Sequence, residues 1–186
     1  MSYFPAFINL QKKKVLLVGG GNIAYKKLEK LLNFTQNIAI ISLDFSPEIL
    51  LLIQKHKLHF SKRQYKVGDI KDMSIVVVAV DDITLQKEIY EESSAYKCLC
   101  NSVDSVEYCD FIFPSYIKKD ELTIAISTSG ASPSFAKYFR IYLESMIPDG
   151  IGEFLAELKE VRNSLPKGKE RMKFLDTKVK LFLEKL

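Results

Sequence analysis

The chain has 186 residues, 47% of them hydrophobic and 27% charged, with 8 Gly and 6 Pro, a balance that supports a buried core without disulfides and excludes general disorder. Its net charge of +4, from 27 basic against 23 acidic side chains, is too small to argue for nucleic acid, though it suits an anionic substrate. No apolar run approaches the ~20 residues that span a bilayer, and Met1-Ser2-Tyr3-Phe4-Pro5 lacks the basic-then-apolar order of a secretion signal, so a cytoplasmic protein is expected.

Lys14-Val15-Leu16-Leu17-Val18 is apolar without alternation, the pattern of a strand buried on both faces of a parallel sheet. The glycine turn Gly19-Gly20-Gly21-Asn22-Ile23-Ala24 follows at once, and from Asn22 the spacing of Ile23, Leu28, Leu31 and Leu32 predicts a helix that ends near Asn33. Ile38 to Ser42 predicts a second buried strand, Ser46-Pro47-Glu48 opens a helix with a cap and a first-turn proline, and Leu58-His59-Phe60 predicts a third strand. Ser74 to Val80 is the clearest central strand; Asp81-Asp82 then starts a helix to about Ala95, and Cys98 to Asn101 predicts a fifth strand.

Beyond Asp110 the alternation of strand and helix gives way to two strand-like runs, Phe111 to Tyr116 and Leu122 to Ser127. Ser132-Pro133-Ser134 caps a helix to about Met146, Pro148-Asp149-Gly150 breaks it, and two charged amphipathic helices divide near Pro166-Lys167-Gly168. The expected fold is α/β: a Rossmann-like doubly wound parallel sheet over 1–113, a small α+β domain over 114–147 and a short helical C-terminal domain over 148–186.

The turn spells G-x-G-x-x-A, with Gly19, Gly21 and Ala24 in the small positions between a strand and a helix. Gly19 allows the tight turn, Gly21 has no Cβ to block a pyrophosphate, and Ala24 lets the helix pack close to the strand, with the free N–H groups of the helix N-terminus facing the phosphates. Asp44, just past the second strand, is placed to accept hydrogen bonds from ribose hydroxyls, and no arginine lies beside it in sequence; NAD is therefore expected rather than NADP. Two further carboxylates, Asp81 and Asp104, stand at strand ends where such sheets meet their ligands. Asp104 is the candidate proton acceptor, whereas Asp81 either caps its helix or touches the cofactor. No metal site is expected: Cys98 and Cys100 make a single pair of thiols where a structural site needs four ligands, and His56 and His59 lie within the cofactor-binding segment. With Cys109 the cysteines are expected to be reduced thiols.

The motifs together resemble the precorrin-2 dehydrogenase module, found alone or as the amino-terminal part of sirohaem synthases. The resemblance rests on Phe4-Pro5, Val18-Gly19-Gly20-Gly21 with Ala24 and Lys26-Lys27, Ala79-Val80-Asp81-Asp82, Cys100-Asn101-Ser102-Val103-Asp104, Phe111-Ile112-Phe113-Pro114-Ser115, and Ile126-Ser127-Thr128-Ser129-Gly130-Ala131-Ser132-Pro133. It implies a homodimer whose 114–147 segment is the dimerisation domain, and NAD-dependent oxidation of precorrin-2 to sirohydrochlorin. It further implies cofactor contacts at Asn22, Ile23, Leu43 and Asp44, an essential carboxylate at Asp104, and a substrate-cleft loop at Ser127 to Gly130 in which some members carry a phosphorylated serine at the place of Thr128. Asn101, Ser127, Thr128 and Lys137 are the expected substrate contacts, with Lys118, Lys119 and Arg140 as further counter-charges for a polycarboxylate. Some members then insert ferrous iron; the helical tail, ending at Leu186, is shorter than in those, which leaves a dehydrogenase without chelatase open.

Two other classes share part of this pattern. An NAD-sensing regulatory domain needs the glycine turn and Asp44 but not Asn101 to Asp104 or Ser127 to Pro133, and a protein-interaction module built on the tail needs neither Asp104 nor NAD.

Overall fold

The computed structural model describes residues 3–184. Met1, Ser2, Lys185 and Leu186, which fall at the ends of the first and last expected segments, lie outside the described residues. The chain divides into two compact units between Ile112 and Phe113.

The first unit alternates strand and helix: β1 (Val15–Val18), α1 (Asn22–Leu32), β2 (Ile38–Ser42), α2 (Pro47–His56), β3 (His59–Lys62), β4 (Ile75–Val78), α3 (Ile83–Tyr96) and β5 (Leu99–Ser102). The strands form one parallel sheet in the order β3-β2-β1-β4-β5. Successive strands step outward from β1 to β3 and then resume on its other side at β4, so the crevice above the carboxyl ends of β1 and β4 is a topological switch point. Every residue of β1 and β4 is buried, which is why neither shows polar alternation in sequence. Leu16, Val18, Val76 and Val78 share a core with Ile70, Ile89, Cys98 and Cys100, and each such large aliphatic side chain contributes ~2 kcal/mol through burial.

Two local details differ from the sequence expectation. β3 begins at His59 and runs to Lys62 with His59, Phe60 and Lys62 exposed; as the sheet's edge strand it lacks the apolar run that marks a buried one. The cap of α3 is Asp82, whose carboxylate accepts hydrogen bonds from the N–H groups of Thr84 and Leu85 at 2.9 and 3.1 Å. Asp81 is thereby left outside the helix. The cap of α2 is as expected, with Ser46 Oγ accepting from Ile49 N and Pro47 in the first turn.

In the second unit β6 (Ser115–Lys119) and β7 (Leu122–Ile126) pair as an antiparallel hairpin, followed by α4 (Pro133–Met146), α5 (Ile151–Ser164) and α6 (Lys169–Leu183). Pairing starts at Ser115 rather than Phe111, since Pro114 has no N–H to give to a ladder. Ser132 caps α4 through Phe135 N at 3.1 Å, and α5 and α6 meet through the stacked rings of Phe154 and Phe182. Among the described residues no helix is long and apolar enough to cross a membrane.

Candidate dinucleotide site

β1 delivers the chain into the glycine turn under tight constraint. Gly19 has φ +129 and its N–H donates to Ile41 O at 2.8 Å, while a Cβ there would lie 2.3 Å from Ala79 O. Gly20 O accepts from Ser46 N at 2.8 Å, and a Cβ on Gly20 would lie 2.1 Å from Asp44 O. Only glycine fits at these two positions, which stitch the turn to the ends of β4 and β2. Gly21 is different: a Cβ there would meet nothing within 4 Å. Gly21 is also the N-cap of α1, with no side-chain cap and no acidic residue in the first turn. The first N–H groups of α1 and its positive end therefore face open space. Ala24, fully buried, lets the helix sit close to the sheet. The rim carries the exposed side chains of Asn22, Ile23, Leu43 and Asp44. This cradle fits a dinucleotide, with the pyrophosphate against the start of α1 and the adenosine ribose toward Asp44.

The structure adds a group that the sequence did not bring to notice. Lys62 Nζ lies 3.0 Å from Asp44 Oδ1, because Ser42 pairs opposite Lys62 in the β2–β3 register. Distance along the chain hid this neighbour. Arg63, next in sequence, turns away and grips Asp69 with two bonds of 2.7 and 2.8 Å, and that guanidinium holds the Asp69 carboxyl below the usual carboxylate range.

Across the switch point, Ile23, Ala79, Asp81, Gln86, Asp104 and Ser105 line a cavity of about 170 Å³. The two strand-end carboxylates expected from the sequence thus meet the glycine-turn helix in one place. Asp104 is exposed and sits in the left-handed region at φ +62, just after Val103 N bonds Val78 O at 2.9 Å. Gln86, buried on α3, donates from Nε2 to Val80 O at 2.7 Å and so pins the end of β4 beside Asp81. A glutamine inside a helical pattern gave no signal of this.

Asn101, on β5, is 4% exposed, donating from Nδ2 to Phe111 O at 2.9 Å, with Lys27 Nζ 3.5 Å from its Oδ1. Its amide is engaged inside the protein. Burial lowers the Lys27 ammonium to about 8, helped by Lys30 and opposed by Cys109 and Asp104. Because the unfolded lysine titrates near ~10.4, the unfolded chain binds more protons between those values, and stability rises as pH climbs from about 8 toward ~10. Comparing melting curves of Lys27→Met and the parent at pH 7 and pH 10 checks this: the parent gains several degrees relative to the variant at the higher pH, and a pH-independent difference refutes it.

Cys98 and Cys100 are buried free thiols, pushed up to about 11 and about 12 chiefly by desolvation; they pack rather than react. Among the described residues no group of three His, Cys, Asp or Glu side chains is arranged to hold a metal ion.

In the second unit Ser127 and Lys137 are exposed. Ser127 Oγ accepts from Ser129 N at 3.0 Å, and Thr128 Oγ1 both accepts from Ser132 N at 3.1 Å and donates to Ser132 O at 3.2 Å. With Ser129 and Gly130 at positive φ, Thr128 closes the turn that leads into α4.

A model of the family NAD_binding_7, "Putative NAD(P)-binding", matches residues 6–115, more than half of the chain. The chain belongs to this NAD(P)-binding family. The glycine turn, Asp44 and the switch-point cavity all fall within the matched region of this NAD(P)-binding chain. It is similar to "Siroheme synthase 1" of Serratia proteamaculans (strain 568), 34% identical over 82% of this chain and 32% of the relative. It is also similar to "Siroheme synthase" of Ruthia magnifica subsp. Calyptogena magnifica, 35% identical over 85% of this chain and 33% of the relative. The chain spans about a third of the length of these curated relatives. Among solved structures, "SirC, precorrin-2 dehydrogenase" has the same fold, with a TM-score of 0.77 at 23% identity over 94% of this chain and 88% of that chain. The Rossmann-like α/β fold and the resemblance to sirohaem synthases expected from the motifs are thus met.

Proposed function

We propose that the chain is an NAD-dependent precorrin-2 dehydrogenase, oxidising precorrin-2 to sirohydrochlorin in a cytoplasmic sirohaem pathway. The observation that carries this reading is the shared cavity in which Asp104, Asp81 and the glycine-turn residue Ile23 meet. Its support from comparison is similarity to siroheme synthases over more than four-fifths of the chain.

When bound, NAD supplies the hydride acceptor. Gly21, Asn22 and Ile23 would hold the pyrophosphate at the start of α1 in the turn that Gly19 shapes, Leu43 and Asp44 the adenosine, and Asp81 the nicotinamide end. A carboxylate oxygen of Asp104 accepts the proton that leaves the substrate as hydride departs. Asn101, Ser127, Thr128 and Lys137 are the residues assigned to the polycarboxylate substrate. Residues 1–113 bind the cofactor, 114–147 form the dimerisation segment and 148–186 the helical one.

Incubating precorrin-2, generated in situ, with the protein and NAD tests the reading by absorbance. The sirohydrochlorin spectrum is expected, whereas NAD binding without turnover favours a sensing domain. Ferrous iron as a further substrate is assayed separately, with sirohydrochlorin and no NAD.

A homodimer is proposed on the face of α4. Phe135, Phe139 and Tyr142 stack in succession at 5.4 and 6.2 Å, and Phe135, Tyr138, Tyr142 and Met146 stand well exposed, an apolar patch of the kind that a partner covers. Light scattering is expected to give a dimer for the parent and a monomer for Phe135→Asp/Tyr142→Asp; a monomeric parent overturns it.

A further inference from the structure

We propose that Lys62 makes the ribose corner tolerant of a 2′-phosphate, so that this chain binds NADP as well as NAD. The inference rests on the dinucleotide reading above and concerns only its adenosine end.

A lone carboxylate at this corner excludes NADP, since a dianionic phosphate beside it is repelled with nothing to offset the charge. Here the carboxylate is not alone. Lys62 Nζ stands 3.0 Å from Asp44 Oδ1, and the pair carries no net charge. Both side chains are largely exposed, 66% for Lys62 and 88% for Asp44, so an incoming ribose reaches either one. Exposed pairs of this kind are held by only ~0–1 kcal/mol, and exchanging Asp44 for a phosphate oxygen costs Lys62 little.

The backbone fixes where this choice is offered. Ser42 Oγ donates to Asp44 O at 2.7 Å, Ser46 N ties the same loop to Gly20 O, and Arg63 N donates to Ser42 O at 2.9 Å. Asp44 and the end of β3 are therefore held against the glycine turn. Arg63 is committed to Asp69 and to Gln64 O, which leaves Lys62 as the cation paired with Asp44. Rotation about the Asp44 and Lys62 side chains alone changes the corner from accepting a 2′-hydroxyl to donating to a 2′-phosphate.

Calorimetric titration of the full chain with NAD and with NADP, at low and at physiological salt, tests this without turnover. The parent is expected to bind NADP within about tenfold of NAD, with the NADP affinity more sensitive to salt. Lys62→Ala is expected to raise the ratio of the NADP Kd to the NAD Kd at least fivefold, and Lys62→Glu further. Lys12→Ala, which removes the same charge from an exposed site elsewhere, should leave the ratio unchanged. A parent that binds NAD while its ratio does not move in either Lys62 variant overturns this inference alone. Failure of both dinucleotides to bind overturns the dinucleotide reading itself.

Discussion

Gly21→Ala should melt with the parent and yet bind NAD about 100-fold more weakly. A Cβ at Gly21 meets no protein atom within 4 Å, and φ −88 there suits any residue, so the folded state has no reason to object. The space the Cβ enters is the space that a pyrophosphate needs in order to reach the N–H groups at the start of α1. Hydrogen bonds to a charged acceptor contribute ~1.5–3 kcal/mol each, and lengthening one or two of them accounts for the two decades. Gly19→Ala reverses the outcome. Its Cβ would lie 2.3 Å from Ala79 O at φ +129, and relief requires β1 and β4 to part at the centre of the sheet. A loss of ~3 kcal/mol or more is expected, which for a chain of this size lowers the melting temperature by ~6–12 °C. Calorimetric melting together with NAD titration separates the two glycines. Equal melting temperatures for both variants refute the assignment of Gly19 to the fold and Gly21 to the ligand.

That pair also shows what a sequence displays and what it hides. The motif names both glycines, and the unbroken apolar runs of β1 and β4 announce a buried parallel sheet, because local chemistry alone sets both signals. Asp104 was legible for the same reason, as a carboxylate at a strand end. Features created by pairing were not. Lys62 reaches Asp44 only through the β2–β3 register, and the edge position of β3 removes the apolar pattern that would have marked its extent. Gln86 acts by folding back from α3 onto Val80 O, a contact that no spacing rule encodes. Nor did the sequence show that Asn101, read as a substrate contact, donates its amide to Phe111 O and lies beside Lys27. The choice between Asp81 and Asp82 as helix cap was a matter of one residue, decided by which carboxylate reaches two N–H groups.

The second large effect is expected at Asp104, where the replacement has to respect the backbone. At φ +62 an alanine is strained by ~1–2 kcal/mol, whereas asparagine tolerates the left-handed region and keeps the side-chain shape. Asp104→Asn therefore removes the basic oxygen and little else. Removing a general base typically costs ~10²–10⁴ in rate. The precorrin-2 turnover of Asp104→Asn should fall by that factor, with the NAD Kd within about twofold of the parent and an unchanged melting temperature. Asp104→Ala should lose the same rate and melt lower as well. The contrast matters because a rate lost only in the alanine variant would trace to the distorted turn between Val103 and Ser105, not to the proton. Full activity in Asp104→Asn refutes the assignment outright and moves the proton to the other carboxylate on the cavity wall, Asp81, for which Asp81→Asn is the corresponding test.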